Sequence, residues 1–121
     1  MANKITISMG LKWAGLSDTI NVAVSKTINQ VGDRAIGNVQ SIGTAAEALD
    51  LGDVTTIGYI AFKNMEPTGG NTITIGNDNL VATAVYTLLP GEGTIVPTRL
   101  LTWYAKADTA SVDLFVAAVE L

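Results

Sequence analysis

The 121-residue chain contains no histidine and no cysteine. Histidine is the side chain most often used as a general acid or base near neutral pH, so its absence removes the commonest group for proton transfer. The absence of cysteine removes thiolate nucleophiles, disulfides and soft metal ligands. These two absences favour a building block over an enzyme, and we predict no catalytic residue and no cofactor.

Charge is also scarce, because only 15 % of the residues are charged, against a typical ~25 % in soluble domains. A chain with so few charges is expected to cover part of its surface against neighbours, as a homo-oligomer or in a larger assembly. The net charge of −4, with basic residues scattered singly, argues against nucleic-acid binding, which needs a basic patch. No apolar run approaches the ~20 residues that span a bilayer, so we predict no membrane partner.

What the sequence does contain is period-two alternation between glycine-, asparagine- and aspartate-rich turns. Apolar residues recur at every second position from Ile5 to Trp13, with mostly polar residues between them. Successive side chains of a strand point to opposite faces, so this pattern predicts a strand with one buried and one wet face. A similar pattern follows at Ile20, Val22 and Val24, and Lys26 predicts that this strand ends or bulges there.

Further strands are predicted along the rest of the chain, at about residues 35–42, 55–65, 72–75, 80–89, 94–101, 103–107 and 111–121. Gly37 suggests a bend or a close approach of the backbone, and Pro97 suggests an edge or a bulge. Residues 44–49 suggest an irregular connection into a short strand, with a single helical turn as the alternative. Strands this short, with turns every 8–12 residues, are typical of a sandwich or barrel. We predict an all-β, antiparallel, two-sheet β-sandwich of jelly-roll type, as a single domain over residues 1–121.

Two oxygen-rich segments could ligate a hard cation such as calcium. One carries Glu47, Asp50 and Asp53, and the other carries Asn77, Asp78 and Asn79. Neither has the ligand spacing of a dedicated calcium loop, and the same residue types make ordinary β-turns. We favour turn chemistry, with cation binding as the open alternative.

Two other groups of residues could carry chemistry. Paired carboxylates could in principle act on cell-wall sugar, through Asp113 or Glu120 on the last strand, with Glu92 in a turn, although nothing nearby predicts a cleft. The aromatic residues could form a sugar- or partner-binding platform, or fill the core. The exception we single out is Trp103-Tyr104, because adjacent residues of a strand face opposite sides and one ring must point away from the core.

The second half of the chain contains a series of turn and strand motifs, in residues 51–54, 58–65 and 71–76, in the turn Leu88-Leu89-Pro90-Gly91-Glu92, and in residues 98–101 and 104–116. These motifs carry a resemblance to a set of small bacteriophage virion proteins. It covers roughly the last 70 residues. It implies a β-sandwich or jelly-roll component of a tailed phage, most simply a capsid decoration or minor head protein, with no catalytic residues.

We therefore predict a structural virion protein, made in the host cytoplasm, whose partners are the major capsid protein or other virion subunits and itself as a dimer or trimer. The alternative is a carbohydrate- or receptor-binding β-sandwich module of a phage tail, with Trp103 and Tyr104 stacking on a sugar ring. The predicted contact residues are an N-terminal arm, a loop and these two aromatics: Ala2, Asn3, Lys4, Glu66, Pro67, Thr68, Gly69, Gly70, Asn71, Trp103 and Tyr104.

Overall fold

The computed structural model describes residues 3–15, 17, 19–31, 34–78 and 84–120. Within these residues the chain is all-β with antiparallel strand pairing, as the alternation predicts. The described residues include no helix long and apolar enough to cross a membrane. The strands are β1 (Lys4–Ala14), β2 (Thr19–Asn29), β3 (Ala35–Ile42), β4 (Glu47–Ala48), β5 (Ile57–Asn64), β6 (Ile73–Gly76), β7 (Ala84–Leu88), β8 (Gly93–Pro97), β9 (Tyr104–Ala107) and β10 (Val112–Glu120).

The chain divides into two compact units, Met1–Asp33 and Arg34–Leu121. The first unit is a two-stranded hairpin, called the hairpin below, and the second holds the other eight strands. We call the second the eight-stranded unit. The single-domain assignment stays a prediction.

Strands β1 and β2 of the hairpin pair over their full length, from Lys4 opposite Asn29 to Ala14 opposite Thr19. The register runs unbroken through Lys26, which lies opposite Ile7. The prediction that β2 ends or bulges at Lys26 is therefore wrong. A lysine can point its ammonium group to solvent from an edge strand, so it interrupts the apolar pattern without interrupting the ladder.

The eight-stranded unit contains two four-stranded sheets, in the orders β3-β10-β5-β8 and β4-β9-β6-β7. The pairing is nested: β6 pairs with its neighbour β7, then β5 with β8, β4 with β9, and β3 with β10. The outermost pair joins strands that lie about 70 residues apart in the chain, so local turn signals alone could not specify it.

The core of this unit is one cluster of buried apolar side chains drawn from both sheets. Alternation places Val112, Leu114, Val116 and Ala118 of β10 in it, with the residues between them more exposed. The other sheet contributes Ile73, Ile75, Ala105 and Ala107. Each sheet therefore turns one apolar face towards a shared interior, as period-two patterning requires.

Most of the other strand predictions agree with the structure. Residues 44–49 lead irregularly into the two-residue strand β4, and β8 is an edge strand that ends at Pro97. The register of β3 against β10 is continuous at Gly37, so the predicted bend leaves no irregularity in the pairing. Strand β8 is shorter than predicted, because residues 98–101 form no strand. Strand β7 occupies the second half of the predicted strand over 80–89, and residues 80–83 lie outside the described part.

Candidate interaction surfaces

Three loops of the eight-stranded unit are linked by hydrogen bonds, two of them directly and the third through Asn64, and we call the three together the loop end. They are residues 65–72, 89–92 and 108–111. The amide of Asp108 donates to the carbonyl of Thr72 (3.1 Å), and the Thr109 hydroxyl donates to the Asn71 side-chain oxygen (2.6 Å). The loop end is thus tied together by its own backbone and side chains.

Asn64, the last residue of β5, organises this surface from beneath. Its side chain is fully buried, and its Nδ2 donates to the carbonyls of Asn71 and Leu88, both at 3.0 Å. Its Oδ1 accepts the backbone N–H of Glu66 at 3.0 Å. A buried amide whose donors and acceptor are all used fixes the positions of the groups it bonds.

The loop over 66–71 contains a tight turn, in which the Gly70 N–H donates to the Pro67 carbonyl at 2.9 Å. Gly69 has a φ of 89°, which favours glycine. Pro67, Thr68, Gly69 and Gly70 are exposed, whereas Glu66 and Asn71 are half-buried. The predicted loop is therefore present as an ordered turn whose tip is accessible to a partner.

The neighbouring turn is held in the same way. Glu92 folds back so that its carboxylate accepts the Leu89 N–H at 2.7 Å, while its own N–H donates to the Leu89 carbonyl at 2.9 Å. Gly91 has a φ of 82°. Beside these turns, Met65 and Leu89 are 45 % and 53 % exposed. The loop end therefore combines a rigid polar frame with two accessible apolar side chains, although no sequence signal distinguished these two residues.

Trp103 and Tyr104 separate as the strand geometry predicts. Trp103 is 3 % exposed, packs on Phe62 (ring centroids 5.4 Å apart) and Tyr86 (6.4 Å), and donates from Nε1 to the Leu100 carbonyl. Tyr104 is half-buried on β9. The Trp103 ring belongs to the core, where a buried aromatic contributes by packing, and it is not accessible to stack on a sugar ring.

The N-terminal residues are part of the hairpin. Lys4 is the first residue of β1, and the Asn3 carbonyl accepts the Gln30 N–H at 2.8 Å. Ala2 lies outside the described residues. The predicted arm is therefore, over Asn3 and Lys4, the base of a paired ribbon.

The hairpin presents a surface that the sequence reasoning assigned to the interior. Ile5 and Ile7 are buried, as predicted. Farther along the same face, from Met9 onward, the large apolar side chains are exposed. Three cross-strand pairs form this surface, which we call the apolar strip: Met9 with Val24, Leu11 with Val22, and Trp13 with Ile20. Their exposed fractions run from 36 % to 64 %. The expectation that this whole face is buried is wrong, because alternation sets which residues share a face and not what covers it.

The opposite face of the hairpin is polar. It carries Thr6, Ser8, Lys12, Asn21, Ser25 and Thr27 in the cross-strand rows that alternate with the apolar ones. At the end of the strip the Trp13 ring lies over Gly15, where an added Cβ would overlap the ring atoms. The strip is thus a one-sided apolar surface on an otherwise polar ribbon.

Glu47 and Asp50 of the first acidic segment show the turn chemistry that we favoured. The Glu47 carboxylate accepts the Gly43 N–H and a Gln40 Nε2 proton, and the Asp50 carboxylate accepts the Gly52 N–H two residues on. Over the ranges that the structure describes, no three acidic residues group closely enough to hold a metal ion. Asn79 of the second segment lies outside those ranges.

Asp113 and Glu120 lie seven residues apart on the single strand β10. At ~3.3 Å per residue their Cα atoms are separated by roughly 23 Å. Pairs that cleave glycosides hold their carboxyl groups at about 5–9.5 Å. These two carboxylates cannot act together on one glycosidic bond.

No family model matches the chain. No curated protein and no solved structure matches it either. The likeness to phage virion proteins therefore stays a prediction from the residues that carry it.

Proposed function

We propose that the protein is a structural component of a tailed-bacteriophage virion, a capsid decoration or minor head protein that acts through protein–protein contacts. The observation that carries this proposal is the apolar strip, six large apolar side chains exposed on one face of a ribbon whose other face is polar. Exposed apolar patches of this kind mark interaction surfaces. The motif resemblance supplies the virion as the setting.

We further propose that the eight-stranded unit is a jelly-roll sandwich. Its nested pairing, in which the first strand meets the last and the two middle strands form a hairpin, supports this arrangement. The shared core between two four-stranded sheets supports it as well. Jelly rolls recur in viral capsid domains, so the fold and the proposed role agree.

The loop end is the surface that we propose meets the particle. Loops held on a rigid β-scaffold commonly carry binding, and here Asn64 and the glycine turns hold them in place. Met65 and Leu89 supply exposed apolar side chains within a polar surface, a combination that interfaces share. Its partners would be the major capsid protein or another virion subunit, and the protein would also self-associate.

A binding experiment tests this assignment. Purified protein is added to particles that lack it, and occupancy is measured after the unbound protein is removed. We expect saturable binding, and we expect Met65→Glu with Leu89→Glu to reduce occupancy at least tenfold, since truncating central contacts typically costs over ~1 kcal/mol each.

The matched control is Val39→Glu with Val85→Glu, which adds the same charge at two strand positions of similar exposure (54 % and 45 %). This control should bind like the unchanged protein. Equal binding by all three proteins would place the particle contact elsewhere, and no binding by any of them would contradict the proposed role.

The receptor-binding alternative loses its main support. It relied on Trp103 and Tyr104 as a stacking platform, and the Trp103 ring is buried against Phe62 and Tyr86. We therefore do not propose it.

A further inference from the structure

We propose that the apolar strip of the hairpin docks against the apolar strip of a second copy, so that two hairpins pack face to face. This inference deepens the self-association included in the proposed function by naming the surface and the partner. Four features carry it. The hairpin needs a cover, and its apolar strip has a suitable area, no charge and a suitable shape.

The hairpin needs a cover because it has only two strands. A lone two-stranded ribbon is marginally stable in water, and a third strand or packing on its apolar face is needed for stability. The apolar face of this ribbon is open from the Met9–Val24 pair to the Trp13–Ile20 pair, with Leu11 64 % and Trp13 52 % exposed. Docking a second apolar sheet face on the strip would supply what the ribbon lacks.

The area of the strip suits a stable dimer. Its six side chains are 36–64 % exposed, which corresponds to roughly 600 Å² if a large apolar or aromatic residue has ~150–250 Å² to bury. A standard protein interface buries about 800 Å² on each partner. The strip alone would form the apolar centre of such an interface, and the flanking residues would form its rim.

The absence of charge makes the strip self-complementary. None of its three rows contains an ionisable residue, and the nearest described one on the same face is Lys26, which lies beyond Val24 opposite Ile7. A partner face with charges would lose their hydration without gaining an opposite charge here. A second copy of the strip presents the same uncharged surface, and an isologous contact of this kind closes into a dimer without further growth.

The shape of the strip fits as well. Eleven paired residues at ~3.3 Å each make a ribbon about 36 Å long, and apolar sheet faces pack at ~10 Å with interdigitated side chains. The strip contains a shallow groove lined by Met9, Gly10, Leu11, Val22 and Val24. A side chain from a facing ribbon can enter that groove.

The experiment compares the full chain with two double variants by sedimentation at rising concentration. We expect the unchanged protein to reach dimer mass at tens of micromolar. Leu11→Lys with Val24→Lys places two charges in the strip on different strands, and we expect it to raise the dimer dissociation constant roughly 100-fold or more.

The control is Thr6→Lys with Ser25→Lys, which adds the same charges on the same two strands but on the polar face. It should dimerise like the unchanged protein. Far-UV circular dichroism of all three proteins would report any loss of strand content, so an unfolded hairpin is distinguished from a folded monomer.

A second readout does not depend on these lysines. The chain has no cysteine, so Leu11→Cys introduces one thiol for a short bifunctional maleimide. We expect covalent dimers from Leu11→Cys and none from Ser8→Cys on the polar face. Tryptophan emission should also shift to the blue with concentration, because docking covers Trp13 while Trp103 is already buried.

Three results would overturn the inference: a monomer at all concentrations, a dimer that persists in the Leu11→Lys, Val24→Lys variant, or equal cross-linking at both cysteine positions. If the chain is monomeric but that variant no longer binds particles, the strip binds another virion protein and not a second copy. In that case the inference fails and the proposed function stands.

Discussion

A single buried residue, Asn64, links the loop that follows it in the chain to the turn that begins after Leu88, 24 residues farther on. Its side chain bonds Glu66, Asn71 and Leu88, and its backbone carbonyl accepts the Gly91 N–H at 3.0 Å. Removing such a group leaves two carbonyls and one N–H without their partner, in a place where water cannot easily replace it.

We expect Asn64→Ala to lower the free energy of unfolding by about 3 kcal/mol, since each buried group left unsatisfied costs ~1–3 kcal/mol. Asn64→Asp keeps the shape but turns an oxygen towards two carbonyl oxygens, so we expect it to destabilise at least as much. Urea denaturation measures both changes. The exposed Asn77→Ala serves as the control and should change stability by less than ~0.5 kcal/mol. A wild-type stability for Asn64→Asp would contradict the assigned hydrogen bonds.

Sequence reasoning did not identify Asn64 as important. An asparagine at the end of a strand has the same composition signal whether it caps a turn or lies buried, and turns use asparagine freely. Likewise the sequence at Trp103-Tyr104 predicted that one of the two rings faces inward, but it did not predict which ring. Burial depends on which residues pack on the ring, and Trp103 packs on Phe62 and Tyr86, which are distant from it in sequence.

Strand β8 is an edge strand that depends on a glycine. Gly93 lies opposite Lys63 of β5, and a Cβ added to it would be 2.8 Å from the Phe62 carbonyl oxygen. That atom belongs to the backbone of a paired central strand, so it cannot move aside without disturbing the ladder.

We expect Gly93→Ala to destabilise the eight-stranded unit by roughly 1–3 kcal/mol, the usual cost of overpacking. The matched control is Gly37→Ala on β3, the other edge of the same sheet, where an added Cβ would make an ordinary contact 3.4 Å from the Phe115 ring. This control should be neutral or slightly stabilising, since alanine restricts the unfolded chain more than glycine. Thermal unfolding of both variants measures the difference, and equal melting temperatures would refute this account of β8.

The existence of most strands could be predicted from the sequence because period two is a local property. Strands β1, β3 and β10 are found close to their predicted bounds. Two errors have one physical origin. The open face of the hairpin and the unbroken register at Lys26 both depend on what lies outside a strand, and a strand's own residues do not encode that.

For the molecule as a whole, the two proposed contact surfaces lie in different units and differ in character. The apolar strip is uncharged, and the described ionisable residues of the hairpin are all lysines, Lys4, Lys12 and Lys26. The loop end carries three acidic residues, Glu66, Glu92 and Asp108, together with the exposed Met65 and Leu89. Surfaces so unlike each other suit different partners, the strip a second copy and the loop end the particle.

This division agrees with the low charge of the sequence. A protein that covers apolar surface against neighbours needs fewer charges for solubility than one that stays free. The sequence predicted assembly on that ground alone, whereas locating the surfaces required the exposed fractions of residues such as Leu11 and Leu89.

The most direct test of the proposed function is quantitative mass spectrometry of purified virions, with the major capsid protein as an internal standard. We predict that this chain is present in hundreds of copies per particle, in fixed ratio to the capsid subunit, as a lattice component must be. A handful of copies would indicate a tail-tip position instead. Absence from purified virions, with the protein present in infected cells, would contradict the account.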